Sequence, residues 1–578
     1  MSAKSSISIG ASCLRGLRSP GLWATGLAMA LLLSAPQGEA KDEKVAGRAA
    51  AATEHPLATR TALSVLRQGG NAADAAVAAA LMAGVVSPSS SGLGGGGFAL
   101  VYSPKLAAPV ALDFREVAPQ GVDAAILDRR PLPPEQRGAL VGVPGEARGL
   151  EWLQQRFGSL SFASLVAHAE QRARQGFAVG PHLARTLAGS ASDLTRDASL
   201  SSVFFPGGRA AAAGRVVRNP RLAKTLSRLA QQGAQAIYSG PIAAEIARTV
   251  QQYGGSLNEH DLTNYAAIER PPLKVTWGED DVFTMPAPSA GGLLLTQTLS
   301  LFSKAELQHA ANPQGLPRPA AESGLYLHLL GEAFRASFVD RMAHVGDPAL
   351  VPDPAPRLLD AAHLNELRKR IAIDRTHSIP LLNTEEHGTH HLVVADAQGM
   401  VVSLTTTVNR TFGAKIVTPD SGLVLNDQLD DFALSRDVDH LGAGSRVAPN
   451  APRPGARPVS SMTPSIVLRA GRPILAIGGS GGLTIGTNVT QLLIAHLALG
   501  QAPKDMVQRP RIYVPMGIKE TLLVDSGFSD AVIEDLTFRG ERLAPMKFTG
   551  SAVQLLAWDS RGWSAAADPR KFGEAATQ

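Results

Sequence analysis

The stretch 387-HGTHHLVVADAQGMVVSLTTTVN-409 decides how this chain reads. From Thr389 it alternates apolar and polar residues, breaks at Ala397-Gln398-Gly399, and alternates again from Met400, which predicts a β-hairpin. Gly388, a residue that tends to end regular structure, stands directly before it. Such an abrupt start has two readings. Either the chain turns there and Thr389 is an ordinary first strand residue, or the chain is cut there and Thr389 becomes an amino terminus. The second reading carries chemistry: a threonine hydroxyl is a weak nucleophile, and an N-terminal amine supplies a base on the same residue. With a reference pKa of about 7.7–8.0, that amine is partly neutral near physiological pH.

Working outward, "PSIVLRAGRPILAIGG" repeats the hairpin design around Ala470-Gly471-Arg472, and "GSGGLTIGTNVTQLLIAHLALG" runs through glycines into a helix. Upstream, "HPLATRTALSVLRQGG" and the alanine-rich Asn71 to Val86 predict two helices, and the stretch from Gly149 to about Val250 is helical in pattern. A strand, turn and helix follow in "DVFTMPAPSAGGLLLTQTLSLF", then a helix from Glu322 to Arg341 and a polar, irregular linker from His377 to Gly388. Helices, paired strands and a further packed helix predict a layered α/β sandwich. Gly92, Gly94 and Gly97 match G-x-G-x-x-G, but here a helix precedes and a strand follows. A dinucleotide site needs the reverse order.

Composition narrows the class. Hydrophobic residues at 44% and charged residues at 18% are those of a globular chain, and the scattered cations behind a net charge of +5 leave no nucleic-acid footprint. Lys4, Arg15 and Arg18 precede the charge-free run Gly21 to Leu33, whose 13 residues suit a secretory signal and fall short of a bilayer span. Cleavage after Ala40 is expected, with Ala35 as the alternative; a retained anchor is the competing reading. The only cysteine, Cys13, lies within that segment, so a mature chain from Lys41 carries no thiol. Removing Lys4, Arg15, Arg18 and Glu39 takes away two positive charges and leaves +3. The expected product is exported, periplasmic or secreted, with no stable membrane span.

Several polar residues could face one cleft. Arg115 in "ALDFREVAP" and Ser460-Ser461 in "RPVSSMTP" suit a carboxylate; Asn409, and Gln428 and Asp431 in "NDQLDDF", suit an ammonium. Together they are what an α-amino acid needs. The run "GGSGG", Gly478 to Gly482, opens an apolar helix, where backbone N–H groups can stabilise an oxyanion. His390 and His391 are adjacent on a strand and point to opposite faces, so they read as structural rather than as metal ligands.

In one order along the chain, "GNAADAAVA", "LGGGGF", "ALDFREVAP", "VGVPGEARGL", "DRMAHVGDPALV", "MPAPSAGG", "THHLVVAD", "TTTVNRTFG", "LVLNDQLDDF", "RPVSSMTPSIV", "GGSGG" and "AAADPR" resemble the γ-glutamyltranspeptidases, or glutathione hydrolases, of the N-terminal nucleophile hydrolase superfamily. The resemblance runs from about Lys41 to Pro569. It implies a four-layer αββα sandwich built by a large subunit (41–388) and a small subunit (389–578), cut from one precursor between Gly388 and Thr389. It implies Thr389 as nucleophile, Thr407 as its supporting hydroxyl and Gly481 and Gly482 as the oxyanion pair. Arg115, Ser460 and Ser461 would hold the γ-glutamyl α-carboxylate; Asn409, Gln428 and Asp431 would hold its α-amino group. The implied partners are glutathione and other γ-glutamyl compounds, acceptor amino acids or peptides, and water, with no metal or organic cofactor.

Two departures from the family pattern stand out. Thr389-His390-His391 replaces the usual Thr-Thr-His or Thr-Ser-His, putting a bulky, titratable ring beside the nucleophile, and the lid-like stretch Ser435 to Val459 lacks the common aromatic residue and carries "LSRDV" in place of Lys-Pro-Gly. Two alternatives compete with the implied activity: a glutaryl-cephalosporin acylase, which Asp431 argues against, and an unprocessed, inactive homologue that binds glutamate or γ-glutamyl peptides.

Overall fold

The decisive hairpin forms, with one difference from its pattern. Its first strand spans His387–Ala395 and its second Val401–Arg410, so regular pairing starts two residues before Thr389. Gly388 does not end structure: it pairs with Asn409 across a bulge that follows the Thr407↔Thr389 pair. The extra residue is Val408, and Asn409 beside it takes a positive φ of 75°. The computed structural model describes residues 48–313, 315, 323–377, 387–435, 447–514, 521–546 and 551–578, all within the unit Val45–Gln578. The predicted signal (1–40), most of the predicted linker and residues 436–446 of the lid-like stretch lie outside the described residues.

Two large sheets are built, in chain order, from β1 (Ala50–Thr53), β2 (Gly96–Tyr102), β3 (Val110–Phe114), β4 (Ile268–Arg270), β5 (Leu273–Trp277), β6 (Asp280–Thr284), β7 (His387–Ala395), β8 (Val401–Arg410), β9 (Ser465–Arg469), β10 (Arg472–Ser480), β11 (Ala552–Asp559), β12 (Gly562–Ala567) and β13 (Glu574–Thr577). The seven-stranded sheet runs β13-β1-β7-β8-β2-β3-β4, and the six-stranded sheet β12-β11-β10-β9-β6-β5. Every neighbouring pair is antiparallel.

Side-chain parity sorts the layers. On β7, Leu392 and Val394 join a core with helices α1 (Pro56–Arg67) and α2 (Ala72–Val86), whereas Val393 and Ala395 join a second core between the sheets. On the second sheet the consecutive residues Leu475, Ala476 and Ile477 are all fully buried. Its outer face is covered by α3 (Ala290–Leu301), α4 (Gly324–His344) and α5 (Thr484–Leu497), whose apolar residues share that core. Burying each large aliphatic side chain contributes about 1.5–3 kcal/mol, so parity on β7 is strongly fixed. The order helix, sheet, sheet, helix is the αββα form, implied by the resemblance, of the layered α/β sandwich that the sequence pattern predicts.

The helix α2 is alanine-rich because it is buried on every side, and Asn71 and Asp74 close its start with a capping box. The glycine run before β2 answers the G-x-G-x-x-G match in physical terms. A Cβ on Gly95 would lie 2.0 Å from the carbonyl oxygen of Thr407, so the run lets two backbones touch behind the hairpin.

Candidate active site

Thr389 and Thr407 face each other across the hairpin, and both are buried. The Thr407 hydroxyl donates to the Gly388 carbonyl at 2.7 Å and accepts the backbone N–H of Asn409 at 2.9 Å. Its oxygen lies 3.1 Å from the Thr389 oxygen. With its one proton committed to Gly388, Thr407 can only accept from Thr389. The hydroxyls therefore form a directed relay from Thr389 through Thr407 to the Gly388 oxygen. A lone pair of the Thr389 oxygen is left free to act.

Beside Thr389 lies a buried ammonium that the sequence reading missed. Lys571 Nζ donates to the Thr389 carbonyl at 2.9 Å, to Ser480 Oγ at 2.7 Å and to Glu54 Oε2 at 3.1 Å. Ser480 ends β10, and Gly481 and Gly482 follow with φ of 116° and 60°, left-handed geometry that favours glycine. One cation thus joins the glycine turn, the first strand's end and Thr389. Burial pushes the Glu54 carboxyl up, against the pull of Lys571.

A second group gathers the expected amino-acid contacts. Arg115, fully buried, donates from Nη2 to Asp431 Oδ2 at 2.5 Å and from Nε to the Pro458 carbonyl at 3.1 Å. Gln428 Nε2 donates to the same Asp431 oxygen at 2.7 Å. Arg115 also reaches the Val459 carbonyl at 3.2 Å, which fixes the segment leading to Ser460 and Ser461. Ser460 Oγ accepts the Met462 N–H at 3.1 Å, and Ser461 Oγ accepts from Arg341 Nη1 at 2.5 Å. Asn409 Nδ2 donates to the Asp427 carbonyl at 3.2 Å, tying the Thr389 hairpin to the segment that carries Gln428 and Asp431. Arg115 and Asp431, expected to take opposite ends of a substrate, pair with each other here.

Buried carboxyls back this wall. Glu116 is pushed up to about 8 by burial, against its neighbour Arg115 at 3.9 Å. Burial likewise raises Glu146 to about 7 and Asp427 to about 7, the latter helped by Asp430. A cavity of about 620 Å³ opens alongside, lined among others by Asp427, Asp430, Arg410, His182 and Arg185.

The histidines divide by face. His390 is adjacent to Thr389 in sequence but has the parity of Leu392 and Val394, on the helix-covered side. Burial, Lys571, His55, His391 and His182 all press its pKa well down. It therefore does not crowd the face that carries the Thr389 side chain, as the sequence suggested it would. His391 shares that face, with Nδ1 2.8 Å from Thr405 Oγ1, and burial lowers its pKa to about 3, so it is neutral.

Among the described residues one cluster, His328, Glu332 and Glu541, brings metal-ligating atoms together. Arg335 already occupies it, reaching Glu332 Oε1 at 2.7 Å and Glu541 Oε2 at 2.6 Å, so the cluster reads as an ion network rather than a metal centre. No described helix is long and apolar enough to cross a membrane.

Comparison with known proteins identifies the family. A family profile described as Gamma-glutamyltranspeptidase matches residues 58–578. The chain is 35% identical over 558 residues to glutathione hydrolase 2 of Arabidopsis thaliana, covering 92% of this chain and 93% of that protein. It is 35% identical over 491 residues to a glutathione hydrolase proenzyme of Bacillus subtilis (strain 168), covering 80% of each. The crystal structure of cephalosporin acylase from Bacillus halodurans superposes with a TM-score of 0.82 at 25% identity, covering 94% of this chain and 98% of that one. The paired threonines, the glycine turn and the Arg115–Asp431 wall lie within the matched span, and the chain belongs to the γ-glutamyltranspeptidase family, with the αββα fold of the N-terminal nucleophile hydrolases.

Proposed function

We propose that this protein is a proenzyme that cuts itself between Gly388 and Thr389 and then transfers γ-glutamyl groups from glutathione and related amides to water or to the amine of an amino acid or peptide. One observation carries the reading: the Thr389 and Thr407 hydroxyls are in contact, and Thr407 donates to the carbonyl of the very bond to be cut.

In maturation the Thr389 oxygen attacks the Gly388 carbonyl carbon. The C–N bond breaks, an ester forms, and water then releases a Gly388 carboxylate and a free Thr389 amine. In turnover that amine takes the hydroxyl proton as the Thr389 oxygen attacks the γ-carbonyl carbon. The N–H groups of Gly481 and Gly482 receive the oxyanion. The intermediate collapses, the C–N bond breaks, and the ammonium returns its proton to the departing amine. Water or an acceptor amine then attacks the γ-glutamyl ester. Arg115, Ser460 and Ser461 take the α-carboxylate; Asp431, Gln428 and Asn409 take the α-ammonium. A zwitterionic α-carbon would exchange the Arg115–Asp431 pair for two new ones, whereas an acyl group lacking either charge would leave one buried charge unmatched. Residues 1–40 are proposed to act as the export signal, supported by the three cations ahead of the apolar run.

The test is the denatured mass spectrum of wild type beside Thr389→Ala, followed by turnover of γ-glutamyl p-nitroanilide. Two fragments meeting at Gly388/Thr389 in wild type, an intact mutant, and a loss of activity of at least about 10⁴-fold are expected. A wild-type chain that stays whole yet binds glutamate would replace the enzyme with the binding-protein reading. The similarity to a cephalosporin acylase favours one rival activity. Faster cleavage of glutaryl than of γ-glutamyl p-nitroanilide would establish it.

A further inference from the structure

We propose that Arg341 is a specificity-determining residue of this site, which makes the enzyme demand an α-carboxylate on its acyl donor. The inference rests on the γ-glutamyl reading above. Arg341 lies in the last turn of α4, and its guanidinium is held against the segment that carries Ser460 and Ser461. Nη1 donates to Ser461 Oγ at 2.5 Å, and no direct ion pair to a carboxylate engages Arg341 among the described residues. Arg115 differs in kind, because its charge is already matched by Asp431 at 2.5 Å. Asp431 attracts Arg341 and Arg115 repels it, so the three groups share one electrostatic neighbourhood with two cations and one anion. Burial lowers Arg341 to about 10, which leaves it a cation at neutral pH.

Two consequences follow from elementary chemistry. A serine oxygen that accepts from a guanidinium turns its own proton elsewhere, so Arg341 presents the Ser461 hydroxyl as a donor. The unmatched charge also makes the empty site net positive. A donor bearing both an α-carboxylate and an α-ammonium supplies anionic and cationic partners to Arg115, Arg341 and Asp431. A donor with the ammonium alone adds a third cation to a buried cluster holding one anion. Arg341 therefore acts partly through Ser461 and partly by its own charge.

The experiment compares kcat/KM for γ-glutamyl p-nitroanilide and for 4-aminobutyryl p-nitroanilide, which keeps the amine and lacks the α-carboxylate. In matured Arg341→Gln, kcat/KM for the first should fall about 30- to 100-fold, mainly through KM, because a charge-assisted contact to the carboxylate is lost. That for the second should change by less than about 3-fold or rise, since a repelling charge is gone. Arg341→Lys should fall between wild type and Arg341→Gln. Equal losses on both substrates, or a folded Arg341→Gln chain that no longer cuts itself, would overturn the proposal and make the residue structural. If Arg341→Gln does not fold, Arg341→Lys decides: a ratio lowered several-fold supports the inference and an unchanged ratio overturns it. Failure of the γ-glutamyl reading looks different, as wild type itself would then show no preference for the γ-glutamyl donor.

Discussion

Two of the buried ion clusters among the described residues are built to opposite ends. Around Glu541 the accounts are complete: Arg335 grips the carboxylate from two nitrogens, His328 Nδ1 lies 2.8 Å from Oε1, and Glu332 shares the guanidinium. Around Arg115 they are not. Asp431 remains one-fifth exposed on its side chain, and among the described residues Arg341 has no ion pair to a carboxylate and Glu116 has a cation no nearer than 3.9 Å. Their titration differs accordingly. Burial works against the charge of Glu541, but the hydrogen bonds and charges of His328 and Arg335 outweigh it and hold the carboxyl below its usual range. Burial wins at Glu116, which is pushed up to about 8. A cluster that satisfies itself stabilises a fold; one left short of partners is free to receive a charged ligand.

The largest effects should come from breaking one cluster at a time. Glu541→Gln should destabilise the protein by about 3–5 kcal/mol, seen as a lower urea midpoint, with kcat/KM per intact site unchanged. Asp431→Asn should do the reverse: about 10²- to 10³-fold off kcat/KM for γ-glutamyl p-nitroanilide, with a smaller shift in the midpoint. If the two variants behave alike, the distinction between the clusters fails.

A smaller effect is expected at Lys571. Its ammonium sits on the Thr389 carbonyl, near the amine that cleavage would free, and a neighbouring cation favours the neutral, basic form of an amine. Lys571→Met should slow the cut and lower kcat/KM about 10- to 100-fold. It should also move the acidic limb of the pH–rate profile upward. An unmoved limb would reduce Lys571 to a structural tie.

The smallest effects lie in stability against pH, where the clusters should pull in opposite directions. Glu116 and Glu146 have folded pKa values raised above 4.5, to about 8 and about 7, so they bind more protons folded than unfolded. Their contribution is full below pH 4.5 and is lost as pH rises through about 7 to 8. Glu541, held low, contributes above pH 4.5 and loses it as pH falls. Melting temperature should therefore drift down between pH 5 and 8, and Glu116→Gln should flatten that drift without touching the acid side. A slope unchanged in Glu116→Gln would mean its proton is not the one involved.

Much of the site was legible because its residues sit in local patterns. The hairpin was readable from its alternation and turn, the family resemblance supplied Thr407, which the hairpin sets opposite Thr389, and "NDQLDDF" kept Gln428 and Asp431 together in one short turn. Gly388 misled, since a bulge at Val408 lets the strand run through it; nothing in a lone glycine distinguishes a terminator from a residue paired beside a bulge. His390 misled through sequence adjacency, although the alternation that puts it on the other face could be counted from Thr389. Arg341 and Lys571 gave no signal. The first reads as an ordinary basic residue in a helix's last turn, the second as a charge near the chain's end, and their partners Ser461 and Thr389 are 120 and 182 positions away. Only the folded chain brings them to the site.

The sheet order carries a consequence for what a cut at Gly388 would do. Strand β1, from before the cut, lies between β13 and β7, both from after it; β8 pairs with β2, and β9 with β6, across the same divide. The two pieces would be interlaced like the fingers of folded hands, and no plane passes between them without opening both sheets. Severing one peptide bond would then free a terminus without freeing a subunit. Differently tagged mature molecules mixed together should keep their original halves for as long as they stay folded.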